Sequence, residues 1–433
     1  MPANTEAGPG PGRPNPAAAT VTDSGTGPGT GMPPGGATSR VRMPVSVHVL
    51  GLSVFALGTS EFMLSGLLQP VARDLGVSIP QAGLLISAFA VGMVVGAPVL
   101  AAATLRLPRR TTLITLLAVF GLGQVAGALA PSYEVLFASR VVSALACAGF
   151  WAVGAAVAVS VVPVNARARA MAVMVGGLSI ANIVGVPAGS LLGQHLGWRS
   201  AFWAVAVMSA VGLVGVVAMV PRTRVPTGEN RPRLRRELRV YADGQVWLTV
   251  VTIALNAAAV FAVFSYLAPL LTEVAGLRES WVPTVLALFG LGGLIGTAIG
   301  GRISDGHLFG TMLGGVTAST VALTLLALLA RNAVAAVALA LLLGITAFMT
   351  APALNARMFD VAGAAPTLAG ATTTSSFNIG NTVGPWLGGL VIDAGWGYRT
   401  VAWTGAALAA AAIGATALAA LANRRTPRAP LGA

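Results

Sequence analysis

Residues 45–68 read VSVHVLGLSVFALGTSEFMLSGLL, an apolar stretch whose one formally charged residue is Glu61. About 20 apolar residues in a helix rising 1.5 Å per residue cross a ~30 Å hydrocarbon core, so the stretch predicts a membrane span. An acid near the middle of such a span costs about 2.5–3.5 kcal/mol and usually marks an ion or substrate path. The fold and the function are therefore both at issue in these residues.

Outward from this stretch, comparable runs recur between short polar breaks. About twelve are read, at 45–68, 81–104, 111–130, 134–160, 168–193, 200–220, 245–271, 282–303, 310–330, 333–357, 367–392 and 400–421. The chain is 55% hydrophobic and 9% charged, which excludes an ordinary soluble domain, where roughly a quarter of residues are charged. The expected fold is an all-α membrane protein of twelve transmembrane helices. Cys147 is the single cysteine, so no intrachain disulfide forms, and His48, His195 and His307 have no ligand spacing. No metal or cofactor site is expected. An intramembrane enzyme would need a convergent His/Asp/Glu cluster or a Gly-x-Ser-x-Gly elbow, and the sequence offers neither.

The runs divide the chain. Residues 1–42 are rich in Pro, Gly, Ala, Thr and Ser and are expected to be a disordered tail. Residues 43–220 form a first six-helix bundle, 221–244 a basic cytoplasmic linker, 245–421 a second bundle and 422–433 a cytoplasmic tail. The chain has no lysine, and the tails and even-numbered loops hold about twenty of the 26 arginines, which puts both termini in the cytoplasm of a cell-membrane protein. The net charge of +13 is thus an inward-facing bias with anionic-lipid contact, and no nucleic-acid partner is expected.

The halves repeat. Gly92 and Gly96 align with Gly292 and Gly296, and Asn182 and Gly185 with Asn381 and Gly384, at an offset near 200 residues. Two six-helix units with a cavity between them are the economical explanation. At that offset Glu61 falls opposite Phe261 and Arg140 opposite Ala340, so the intramembrane ionisable pair belongs to the first half. Glu61 lies about 10 Å and Arg140 about 9 Å from the outer ends of their runs, nearly one level. A carboxyl there is pushed toward protonation by desolvation and away from it by a guanidinium, which lets a proton come and go. Gly58 and Ser65 are expected on the same helix face, leaving room for water or substrate. Snorkelling of Arg140 to the interface, and a structural hydrogen bond from Glu61, are the simpler readings of each.

The stretch GTSEFMLSGLLQPVARDLGVSIPQAGLLISAFAVGMVVGAP, residues 58–98, resembles the first two helices of the major facilitator superfamily, in its twelve-helix drug:proton antiporter family. Within it the likeness is greatest to actinobacterial chloramphenicol-resistance exporters and arabinose-efflux-like permeases. The family's helix 5 signature, G-x8-G-x3-G-P-x2-G-G, is met by Gly176, Gly185, Gly189 and Gly193, with Ser190 and Gln194 replacing its Pro and last Gly, and Pro187 nearby. Three of those glycines form a stripe that also suits close helix packing. The family's loop motif, G-x-x-x-D-R-x-G-R-R, is degraded after the second run: Arg106, Arg109 and Arg110 remain while Ala101 and Leu105 replace Gly and Asp. The second copy keeps Gly301 and Asp305. The resemblance implies that Arg140 takes part in proton transfer.

Asn182, Asn256, Tyr266, Thr350, Asn378 and Asn381 are polar groups within runs and are candidate cavity residues, each also suited to bridging two helices. The expected protein is a monomeric, proton-coupled exporter of a small amphiphilic drug, with a chloramphenicol-like antibiotic first. Its partners are that small molecule, protons and the bilayer. Sugar or nucleoside efflux, or a non-transporting membrane sensor, are the alternatives.

Overall fold

The computed structural model describes residues 43–425 apart from 105–106, 164–165, 222–240, 305 and 364–365. Regular structure among the described residues is helical throughout. In chain order, α1 is Val45–Phe62, continued by a 3-10 turn at Met63–Gly66, and a short helix Leu68–Leu75 precedes α2, Ile79–Thr104. Then come α3 (Arg109–Ala128), α4 (Tyr133–Ser160), α5 (Arg167–Ile180 and Val186–Leu196, joined by a π turn at Ala181–Gly185) and α6 (Trp198–Met219). The second set is α7 (Gly244–Ser265), α8 (Val282–Ser304), α9 (Leu308–Leu329), α10 (Ala333–Met349 and Ala351–Ala362), α11 (Pro366–Asp393) and α12 (Tyr398–Arg425). The expected tail 1–42 and most of the basic linker lie outside the described residues, and residues 422–425, read as tail, prolong α12.

Eleven of these helices are long and apolar enough to cross a membrane. The twelfth, α11, spans 28 residues, but Thr372, Thr373, Thr374, Ser375, Ser376, Asn378 and Asn381 lower its hydropathy. Such a helix is tolerated in lipid when its polar face turns into the protein, and Thr372, Ser376, Asn378 and Asn381 are all buried.

Prolines explain the irregular turns. Pro187 has no N–H to give the Ile183 carbonyl, and the wider π turn ends just before it. Pro352 likewise follows the break at Thr350 in α10, and Pro269 opens the π turn Leu270–Val274 beyond α7. Side-chain caps start several helices, Ser78 accepting from the Gln81 N–H, Asp243 from the Gln245 N–H and Asn332 from the Ala335 N–H.

Glycines set the spacing between helices, and they do so at corresponding positions in the two repeats. Gly92 and Gly96 of α2 meet Ala144 and Ala148 of α4, while Gly292 and Gly296 of α8 meet the Leu341 and Ile345 carbonyls of α10. Gly185 of α5 meets Thr59 of α1, and Gly384 of α11 meets Ala258 of α7, each partner lying 126 residues earlier. A Cβ on Gly185 would stand 2.1 Å from Thr59 Oγ1 and one on Gly384 2.5 Å from the Ala258 carbonyl, so neither contact admits a side chain without a shift. The duplicated pattern in the sequence is thus a duplicated packing scheme.

Burial ranks the helices. The most apolar windows of α1, α2 and α7 are 78%, 67% and 67% buried, against 33% for α6 and 39% for α12. On α6, Trp203, Val207, Val211 and Val214 form an exposed stripe at helical spacing, which water would disfavour and acyl chains accept. Helices α1, α2 and α7 therefore carry the interior.

Candidate functional site

Glu61 lies in the last turn of α1. It is 8% exposed, and together with Phe62, Ile86, Phe89, Ala90, Phe261 and Asn381 it lines a cavity between the two repeats. The free space, about 10 Å³, holds about one water. Drug-sized pockets run to about 300–1,000 Å³, so a larger ligand here needs the repeats to move apart. The expected roomy face around Glu61 is absent. Gly58 packs on Leu178 and Ala181 of α5, and Ser65 sits in the 3-10 turn, off the helical register, donating to the Phe62 carbonyl at 2.7 Å.

Arg140 does not snorkel. Its side chain is fully buried, with the guanidinium carbon 4.2 Å from the centroid of the Phe89 ring. Nη1 donates to Ser60 Oγ at 2.8 Å and Nη2 to the Glu61 main-chain carbonyl at 3.5 Å, while Nε has no hydrogen-bond partner. Among the described residues no cation stands within 4 Å of the Glu61 carboxyl, so acid and base are neighbours on facing helices without forming an ion pair. The chain of bonds continues: Ser60 Oγ donates to Gln124 Oε1 at 3.1 Å, and Gln124 Nε2 donates to Ser143 Oγ at 3.2 Å. Ser60, Gln124 and Ser143 were not singled out in the sequence. Gln124 gives a signal in retrospect, because an amide inside the apolar run 111–130 must find partners.

Of the six candidate cavity groups, one joins Glu61. Asn381 lines its cavity, and its Oδ1 is buried without a partner. Asn378, a turn earlier, donates to the Thr374 carbonyl at 3.0 Å, leaving its own Oδ1 unpaired. Asn256 donates to Thr350 Oγ1 at 3.1 Å, tying α7 to α10. Asn182 bonds back to the Leu178 carbonyl at 3.2 Å within α5. Tyr266 is a fastening rather than a wall: its hydroxyl donates to the Pro385 carbonyl at 2.9 Å, and the ring fills the space left by Gly83 of α2 and Gly388 of α11.

The helix 5 glycines pack. Gly185, Gly189 and Gly193 face Thr59, Met63 and Leu67 in turn, Pro187 is buried beside them, and Gly176 faces open space. In the loop motif, Arg109 Nη1 donates to the Ala156 carbonyl at 3.5 Å and Arg110 Nη2 to that of Val217, placing cations at the C-terminal ends of α4 and α6. A Cβ on Gly301 would meet nothing within 4 Å. Arg106 and Asp305 lie outside the described residues.

The second repeat supplies an aromatic wall. Phe261 stands 5.5 Å from Phe62, 5.6 Å from Phe264 and 5.6 Å from Phe377, and Phe264 stacks on Phe289 at 4.6 Å. At the end of the bundle that carries the loop between α1 and α2, polar contacts join the repeats. Arg73 pairs with Glu279 at 2.9 Å, Gln69 donates to Thr272 and Glu273, and Gln194 donates to the Glu279 carbonyl at 2.7 Å.

Comparison with known proteins gives this arrangement its context. The Major Facilitator Superfamily pattern matches residues 50–377. A chloramphenicol resistance protein of Streptomyces lividans is 39% identical over 372 residues, covering 86% of this chain and 95% of its own length. The inner membrane transport protein YdhP of Escherichia coli K12 is 38% identical over the same shares of both chains. Among solved structures, a bacterial homologue of the human lysosomal transporter Spinster, inward-facing and unoccupied, superposes with a TM-score of 0.72 at 18% identity, covering 90% of this chain and all of its own. With twelve helices in two repeats, the chain belongs to the major facilitator superfamily.

Proposed function

We propose that the protein is a proton-coupled exporter of small amphiphilic organic molecules, with chloramphenicol or a related antibiotic as the leading substrate. Membership of a transporter superfamily makes it an integral membrane carrier of small molecules, and the proposal concerns coupling and cargo. The observation that carries it is the buried Glu61, which shares its cavity with Phe261 and Asn381 of the second repeat while Arg140 stands beside it. An ionised carboxylate without a partner in such a place is costly, whereas its protonated form is not, so binding a proton and opening the cavity are naturally linked. Arg140, on the neighbouring helix, offers the carboxylate a counter-charge once the proton leaves.

The rest of the cavity suits an aromatic body with hydroxyl or amide groups. Phe62, Phe89 and Phe261 line it, and the Oδ1 of its Asn381 is a buried acceptor without a partner. The Streptomyces lividans relative, named for chloramphenicol resistance, points to the same class. In this reading the protein acts as a monomer in the cell membrane, with 43–220 and 245–421 as its two bundles and both termini in the cytoplasm, an orientation that the arginine distribution supports.

Expression in a pump-deficient host tests the reading. Resistance to chloramphenicol should rise more than resistance to quaternary ammonium dyes, and an uncoupler should abolish the gain. Export of dyes without phenicols would refute the substrate. Full gradient-driven export by Glu61→Gln would refute the coupling.

A further inference from the structure

The hydrogen bonds around Arg140 run in one direction. A serine hydroxyl has a single proton to give, and Ser60 gives it to Gln124 Oε1 at 3.1 Å, so the lone pairs of its oxygen are what face Arg140 Nη1 at 2.8 Å. The Gln124 amide is fixed in turn by donating to Ser143 Oγ at 3.2 Å. All of these groups are buried, Gln124 and Ser143 each being 1% exposed and Ser60 and Arg140 fully covered. The guanidinium is thereby fastened to α1 one residue before Glu61 and meets only that residue's main-chain oxygen, not its carboxyl. We propose that Gln124 is a positioning residue which, through Ser60, holds Arg140 off the Glu61 carboxyl in this conformation and so leaves that carboxyl free to take up a proton from the cavity.

The inference rests on Glu61 being the proton carrier, and its chemistry is specific to this place. Without the Gln124 oxygen, nothing on α3 accepts the Ser60 proton or fixes the rotation of its hydroxyl, and the hold of that oxygen on Arg140 loosens. The guanidinium, whose Nε is already unpartnered, then gains most by turning to the one carboxylate beside it. Cys147, buried two turns along α4 from Arg140, is a further ionisable group on the helix that faces Glu61. The cavity wall from α2, α7 and α11 is uncharged, being Ile86, Phe89, Ala90, Phe261 and Asn381. Among the described residues no other cation lies within 4 Å of Glu61, so release of Arg140 would act on it directly.

Dicyclohexylcarbodiimide reacts with protonated carboxyls in apolar surroundings, and it reads Glu61 without needing any transported substrate. The full-length purified protein is labelled across a range of pH and the adduct on Glu61 is quantified by mass spectrometry, with Glu61→Gln as the blank. Gln124→Met keeps the volume and removes both hydrogen bonds. Labelling of Glu61 in that variant should fall about tenfold at alkaline pH and stay at the wild-type level at acidic pH, because a guanidinium paired with the carboxyl suppresses its protonated fraction. Ser60→Ala breaks the same link one bond nearer to Arg140, should give the same profile, and decides the matter if Gln124→Met does not fold. A wild-type profile in the folded variant overturns the inference. Full gradient-driven export by Glu61→Gln would instead overturn the coupling reading, and the labelling profiles would still report whether Gln124 positions Arg140.

Discussion

The two repeats use the same helix packing and opposite chemistry where they face each other. In the first, α1 and α4 bring Glu61 and Arg140 together with a run of hydroxyl and amide groups. In the second, the position opposite Glu61 is Phe261, at the centre of a cluster that includes Phe264, Phe289 and Phe377, and the position opposite Arg140 is the buried Ala340. Shared glycine contacts show that the scaffold tolerates both sets of side chains. The fold is thus a frame set by close backbone approach, while charge on one side and aromatic surface on the other are substitutions within it. In the function proposed above, the first repeat handles the ion and the second holds a flat apolar body.

The strongest way to break that contrast is to remove the ion side. Glu61→Gln should abolish gradient-driven export in proteoliposomes while leaving exchange of substrate across the membrane measurable, since the carboxamide keeps the shape. Arg140→Ala should reduce turnover comparably and also destabilise, by about 1–3 kcal/mol, because it leaves the buried Ser60 oxygen without its donor and Phe89 without its cation. Arg140→Lys should retain part of the activity, but a single ammonium cannot reach Ser60 Oγ and the Glu61 carbonyl together as the guanidinium does.

On the aromatic side, Phe261→Ala should weaken binding of an aromatic substrate by about tenfold, the effect of losing one buried ring contact, while proton release on substrate addition persists. Loss of coupling with unchanged affinity would erase the proposed division between the repeats.

The shared frame is sharpened by a smaller test. A Cβ on Gly384 would meet the Ala258 main-chain carbonyl, whereas one on Gly185 would meet the Thr59 side chain. A side chain can turn away and a carbonyl cannot, so Gly384→Ala should lower the thermal midpoint more than Gly185→Ala, with overpacking costing about 1–3 kcal/mol at the first site.

The smallest effect belongs to the exposed ends. The Arg199 guanidinium hydrogen-bonds Asp74 and, with the Trp198 indole N–H, holds its carboxyl below the usual aspartate range. A carboxyl lowered on folding stabilises above its unfolded value and loses that contribution as pH falls through the folded one, so the effect should vanish only below about pH 4. Asp74→Asn should leave the thermal midpoint at neutral pH within a degree or two, since exposed ion pairs contribute about 0–1 kcal/mol.

How much of this was written in the sequence differs from residue to residue. Glu61 and Arg140 were legible because a charge within an apolar run is expensive wherever the helix later packs, and the glycine repeats were legible because they recur at one offset. The arrangement of the amides was not. Asn182, Asn256, Asn378 and Asn381 look alike in a one-dimensional reading, yet Asn381 lines the Glu61 cavity while Asn256 ties α7 to α10. Tyr266 turned out to fasten helices, and Gly58 to receive a side chain from α5.

The sequence by itself determined that the chain spans a membrane many times, that it is a duplicated unit, and that Glu61 and Arg140 sit in one half with no ionisable counterparts at the matching positions of the other. The spans and the charges follow from local cost, since hydropathy and charge are properties of a segment in lipid whatever its neighbours are, and the duplication follows from recurrence at one offset. Only the tertiary structure decided that Arg140 bonds to Ser60 instead of the Glu61 carboxyl, that Gln124 stands behind that bond, and that Phe261 shares the acid's cavity. Those outcomes depend on which faces of α1, α3, α4 and α7 meet, and at what depth. Hydrogen-bond direction and ring contacts act over a few ångströms between residues as much as 200 positions apart, a distance over which sequence pattern carries no geometry.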